Sequence, residues 1–110
     1  MTIPTSVRVR NEMAADGGTP GRPEFSVVAP VHNESENVED LAREIAAALN
    51  GRAYEMIFVD DSSLDDTRAR LQELKDELPS LRVVAHRKNA GQSRAVRTGA
   101  LAARGPVIAT

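Results

Sequence analysis

Glu55-Met56-Ile57-Phe58-Val59-Asp60-Asp61-Ser62-Ser63 is the stretch that decides the fold. A short, mainly apolar run bounded by turn-forming residues reads as a buried strand, because a strand covered on both faces has no side left for polar residues. Here the run Glu55–Val59 ends in two adjacent carboxylates. Upstream, Phe25-Ser26-Val27-Val28-Ala29 has the same character and is ended by Pro30. Between the two runs Val38, Leu41, Ala42, Ile45 and Leu49 recur at three- and four-residue steps, which predicts a helix, and Asn50-Gly51 closes it. Downstream a second helix is expected from about Asp65 or Asp66, with Ser63 and Asp66 spaced as in a capping box. Its apolar stripe is Leu71, Leu74 and Leu78, and Pro79 stops it. Leu81–Ala85 reads as a third strand, Gly91–Ala103 as a third helix rich in small residues, and Val107-Ile108-Ala109 as the start of a fourth strand. Strands alternating with helices at this spacing predict an α/β fold with a mainly parallel sheet. Met1–Pro23, with Gly17-Gly18, Pro20-Gly21 and Pro23, reads as a flexible tail, and residues 24–110 as one ordered domain.

The composition narrows the function classes. The 110 residues suffice for one small domain. A net charge of −2 gives no reason to expect nucleic acid as a partner, and two Phe, one Tyr and no Trp leave little for base-stacking surfaces. The absence of cysteine excludes disulfides and Cys-based zinc sites and fits a cytoplasmic setting. No apolar run is long enough to span a bilayer, and Met1–Asp16 lacks the apolar core of a signal peptide.

In open parallel sheets ligands bind beyond the carboxyl ends of the strands, so polar residues should gather there. Three clusters do. After the first strand comes Pro30-Val31-His32-Asn33-Glu34, where Pro30 fixes the chain and His32 and Glu34 offer a ring face and a carboxylate. The bland alternative has Asn33 capping the helix with Glu36 at its third position. After the second strand come Asp60 and Asp61. Two adjacent carboxylates repel each other unless something uses them. One, Asp61, could accept an N–H of a nucleotide base beside the Val59 backbone, while the other pins the loop. Asp65 and Asp66 read better as helix caps. After the third strand comes Arg87-Lys88-Asn89-Ala90-Gly91-Gln92-Ser93-Arg94-Ala95, with Arg97 adding charge, a positively charged helix start that would welcome a pyrophosphate. Ala95, Gly99, Ala100 and Ala103 fit close helix packing. Neither a P-loop nor a dinucleotide fingerprint is present, and His32 and His86 are each alone in sequence.

Taken together, Ser26–Glu34, Ile57–Ser63 with Asp65-Asp66-Thr67, and Asn89-Ala90-Gly91 followed by Ala95 and Gly99 resemble the family-2 glycosyltransferases. Within them, the resemblance is to polyprenyl-phosphate sugar transferases of the dolichol-phosphate mannosyltransferase type. It implies a Rossmann-like GT-A fold, of which this is the N-terminal half, and an inverting transfer of sugar from a nucleotide-sugar donor to an acceptor such as a polyprenyl phosphate. It implies that Pro30, His32, Glu34, Val59 and Asp61 surround the nucleotide, with His32 where an aromatic Tyr is frequent. In the family, the strand that begins here at Val107 runs into an Asp-x-Asp motif binding Mg²⁺ or Mn²⁺. The expectation is therefore that the metal ligands and the catalytic residues lie beyond Thr110, so that no metal or catalytic residue is assigned within the chain. The chain alone would then not catalyse transfer. The resemblance also implies a cytoplasmic protein, at the cytoplasmic face of a membrane when complete.

Two other readings stand beside this one. A phospho-receiver domain also pairs acids at a strand end, but there the pair follows the first strand and a phosphorylatable Asp the third; here Ala85-His86 ends the third. A non-catalytic nucleotide-binding module of the same descent would carry the same residues. Recognition by Asp61 does not by itself separate uracil from guanine.

Overall fold

The computed structural model describes residues 22–109, so the tail read over Met1–Pro23 lies outside it apart from Arg22 and Pro23. Seven elements follow in the expected order: β1 (Phe25–Val31), α1 (Val38–Ala48), β2 (Tyr54–Asp60), α2 (Thr67–Glu77), β3 (Leu81–Ala85), α3 (Gln92–Ala102) and β4 (Val107–Ala109). The strands form one sheet in the order β3-β2-β1-β4. Every pairing is parallel.

Each face of the sheet is set by the alternation of side chains along a strand. Phe25, Val27, Ala29 and Val31 of β1 and Met56 and Phe58 of β2 meet Val38, Ala42 and Ile45 of α1 and Leu71 and Leu74 of α2 in the larger core. The alternate residues Val28, Ile57 and Val59 meet Ala95 of α3 in the smaller one. This division follows from handedness. The chain moves from β1 to β2 to β3 in one direction, then turns back past both to β4. Right-handed crossovers in opposite directions put their helices on opposite faces. The reversal lies between β1 and β4.

Gly99 marks how closely α3 lies on the sheet. A Cβ placed there would stand 2.3 Å from Val28 Cγ1 and 3.1 Å from Val59 Cγ2. The small residues of α3 are a packing requirement, as expected.

Three local readings need correction. Pro30 does not end β1, which continues to Val31. Ser26 N–H points to Pro106 O of the β4 side, so by alternation residue 30 faces that side too. The described β1–β4 pairing ends at Val28↔Ala109, and Pro30 lies two residues beyond it. Asn33 does not cap α1: it sits at φ 53°, in the left-handed region, and the helix starts only at Val38. Nor is there a capping box at α2, which begins at Thr67 after Asp66 with no side-chain cap bond. The Asp65 expected to cap that helix accepts its first N–H, from Thr67 (3.0 Å), and has further partners, described below.

Candidate functional site

The loops leaving β1 and β2 are sewn together by side chain to backbone hydrogen bonds. Asn33 N–H donates to Ser63 Oγ (2.9 Å), and Leu64 N–H donates back to Asn33 Oδ1 (2.7 Å). Glu34 N–H donates to Thr67 Oγ1 (2.9 Å), whose hydroxyl donates to Asp65 Oδ1. Ser35 N–H reaches Asp65 Oδ2 at 3.3 Å. Ser63 and Asp65 thus join two loops, while Asp65 Oδ1 also accepts the first N–H of α2, from Thr67 (3.0 Å). Ser62 at φ 61° adds a second left-handed residue, a conformation that costs a non-glycine residue energy and clusters at functional sites.

The Thr67 hydroxyl, against the opposing effect of burial and helped by the Thr67 N–H and the Ser35 N–H, holds the Asp65 carboxyl down at about 2. A carboxylate with a depressed folded pKa stabilises fully above its unfolded value and loses that contribution as pH falls through the folded one. The melting-temperature gap between wild type and Asp65→Asn, full at about pH 6, should therefore close between about pH 4 and pH 2. A gap that stays constant over that window would show that the lacing does not depend on the charge.

Asp60 and Asp61 point to opposite faces. Asp60, on the α1–α2 side, accepts from Ser63 N–H (3.2 Å) and the Ser63 hydroxyl on Oδ1, and from Arg68 Nε on Oδ2 (3.0 Å). It pins its own loop, as expected of one of the pair. Asp61 faces α3 and is 4% exposed. Its Oδ1 accepts from His86 Nδ1 (2.8 Å) and Ala90 N–H (2.8 Å), and its Oδ2 from Gly91 N–H (2.9 Å). Burial alone would raise this carboxyl; the His86, Ala90 and Gly91 donors outweigh it and leave the pKa below the ordinary value. Asp61 stays an ionised acceptor and also ties the third cluster to β2. Gly91 takes φ 93° as it enters α3, a turn closed to other residues without strain.

Beyond these strand ends lies a cleft of about 280 Å³ lined by Pro30, Val31, His32, Glu34, Asp61, Gln92 and Ala95. It lies beyond the carboxyl end of β1, beside the strand-order reversal where such folds bind ligands. His32 is exposed, and its ring is fixed by Nδ1–H donating to Asp61 O (2.8 Å), with the Asn33 amide 3.3 Å from Nε2. Glu34 Oε2 accepts from Asn37 Nδ2 (3.0 Å). Of the residues singled out in the sequence, Pro30, His32, Glu34 and Asp61 line the cleft. Val59 does not: it is fully buried, its side chain between β2 and α3. Arg87, Lys88, Arg94 and Arg97 are exposed and form no ion pair among the described residues. Gln92 and Ala95 of the third cluster also line the cleft; the role of His86 at Asp61 was not foreseen, and the one available signal was that His86 directly follows β3. Among the described residues no group of three His, Cys, Asp or Glu could hold a metal ion.

The family Glycosyl transferase family 2 matches residues 26–110. A dolichol-phosphate mannosyltransferase of Pyrococcus furiosus is 43% identical over 83 residues, covering 76% of this chain and 23% of that protein. Among solved structures, residues 1–349 of Staphylococcus aureus TarS in complex with UDP superpose with a TM-score of 0.70 at 24% identity, covering 78% of this chain and 26% of that one. The mannosyltransferase PcManGT from Pyrobaculum calidifontis, in complex with GDP-Man and Mn²⁺, gives 0.66 at 24% identity, covering 76% and 25%. The two structures speak to the fold alone. The chain spans about a quarter of the length of the relatives it matches.

Proposed function

The chain belongs to glycosyl transferase family 2, and from that membership we propose that it forms the donor-binding part of an inverting glycosyltransferase that moves a sugar from a nucleotide-sugar to an acceptor. The observation that carries the reading is the cleft itself. Pro30, His32, Glu34 and Asp61 meet at one end of two adjacent parallel strands, and Asn89, Ala90 and Gly91 of the basic loop reach His32 and Asp61 beside it. In this proposal the His32 ring lies against the base, Asp61 accepts a base N–H, and Val59 contributes only main chain. Arg87, Lys88 and the start of α3 favour the diphosphate. The likeness to a dolichol-phosphate mannosyltransferase supports a polyprenyl-phosphate acceptor and action at the cytoplasmic face of a membrane. No described helix is long and apolar enough to cross a membrane.

A divalent ion belongs to the proposal through the family, and PcManGT was solved with Mn²⁺. When bound, such an ion neutralises the departing diphosphate. The residues described here do not fit it: Asp60 and Asp61 spend their oxygens on protein donors, and no acidic or histidine cluster stands beside them. The proposal leaves the ion's ligands outside residues 22–109, and what these residues do is bind and orient the nucleotide.

Calorimetry with nucleoside diphosphates tests the reading. Asp61→Asn should weaken binding by about 1.5–3 kcal/mol, the worth of a hydrogen bond to a charged group. Asp65→Asn should change it far less, because Asp65 serves the loops and does not line the cleft. Equal losses at the two positions would remove Asp61 from the base site.

A further inference from the structure

Resting on the nucleotide-sugar reading above, the geometry at Asp61 points to a uridine nucleotide, in preference to a guanosine one, as the ligand of the cleft. Family membership leaves this open, since TarS was solved with UDP and PcManGT with GDP-Man. A carboxylate has about four lone-pair sites in its plane, two on each oxygen. On Asp61 three are filled from within the protein. His86 Nδ1 and Ala90 N–H, each at 2.8 Å, occupy Oδ1, and Gly91 N–H at 2.9 Å occupies one site of Oδ2. A single acceptor site is left, on the residue that lines the cleft.

Bases differ in what they present to such a site. Uracil offers one donor, N3–H, between two carbonyl oxygens. Guanine offers two adjacent donors, N1–H and the N2 amine, which a carboxylate matches only when both its oxygens are open. Here the second guanine donor would meet Oδ1 already engaged by two N–H groups, donor against donor in a buried place. Cytosine puts a ring-nitrogen lone pair where uracil has N3–H, so at that position it would set acceptor against acceptor. A site built around a hydrogen bond rejects an analogue that leaves a polar group unpaired.

His86 makes the choice. An ionised carboxylate only accepts, so Nδ1 carries the proton, and Nε2 lies 2.7 Å from Thr98 Oγ1 on α3. The ring is held at both ends and cannot swing off Oδ1. His86 and Thr98 are positioning residues that act on the base through Asp61.

The test is the affinity of the chain for UDP, GDP and CDP at one Mg²⁺ concentration, by calorimetry or ligand-observed NMR. UDP should bind roughly tenfold or more tightly than GDP, and CDP more weakly than UDP by a similar or larger factor. His86→Leu opens Oδ1 and should bring the UDP-to-GDP ratio towards one. His86→Asn, which keeps an N–H near the Nδ1 position, should preserve it. GDP bound as tightly as UDP overturns the base assignment while the nucleotide reading stands. Binding of none of the three overturns the nucleotide reading and this inference with it. If His86→Leu does not fold, the order of the three nucleotides on the wild-type chain decides the matter alone.

Discussion

Glu55→Ala is expected to cost about 3 kcal/mol of folding stability, the lower end of what breaking a buried ion pair costs. Glu55 is 2% exposed, in β2, with its side chain on the α3 face at the end of the sheet away from the cleft. Its Oε2 accepts from the buried Ser26 hydroxyl (2.6 Å) and Arg104 N–H (2.7 Å), and its Oε1 from Arg82 (2.6 Å) and Arg104 Nε (3.2 Å). Gly105 N–H donates in turn to Ser26 Oγ (2.9 Å). Burial pulls the carboxyl upward, but Ser26, the Arg104 N–H and Arg82 outweigh it and leave it below the usual range. Removing the carboxylate strands a hydroxyl and a main-chain donor in the interior. The two arginines are 37% and 60% exposed and recover water, which keeps the loss at the lower end. Urea denaturation measures it, with Glu77→Ala as the control, since the Glu77–Arg43 pair is solvated on both sides and should leave the midpoint in place. A loss at Glu55 no larger than at Glu77 would show that the network is ornamental.

Gly99→Ala should destabilise the chain by about 2 kcal/mol through overpacking alone. The added methyl would overlap Val28 Cγ1, on a fully buried strand residue between two other strands, so the sheet cannot yield and α3 must lift. Val28→Ala removes the obstructing methyl groups at its own cost. The double variant should then lose clearly less than the sum of the two single losses, the signature of residues in contact. Additive losses would mean that the helix lies farther from the strand than described.

The strands were legible because a buried strand in a parallel sheet must be apolar on both faces, and Phe25–Ala29 and Ile57–Val59 have few other uses. Pro30 misled because proline usually breaks a strand, and nothing local says that its amide would have faced a side where the described pairing has already ended. The Asp-Ser-Ser and Asp-Asp-Thr groups misled for a different reason. The same short acceptors and hydroxyls that cap a helix can hold a neighbouring loop, and spacing along the chain does not say which loop is near. Asp61 stood out because two carboxylates side by side demand partners. Its partners did not: His86, Ala90 and Gly91 come to it only once β3 pairs with β2. Glu55 drew no reading of its own within the apolar run, since Arg82 and Arg104 carry no local mark of where they will meet it.

The pairing of β1 with β4 also bears on how the protein is made. Ser26 and Gly105 touch across 79 positions of sequence, whereas β1, α1 and β2 form one short unit. During synthesis that unit is out of the ribosome and able to pair along seven positions while Gly105 is not yet translated. For that interval one side of β1 is an open edge, and an open edge recruits strands from other chains. Of the donors that edge would show, Ser26 and Val28 are free to bond, and the third position is Pro30, which has none. The proline within β1 thus shortens the surface on which a nascent chain could aggregate.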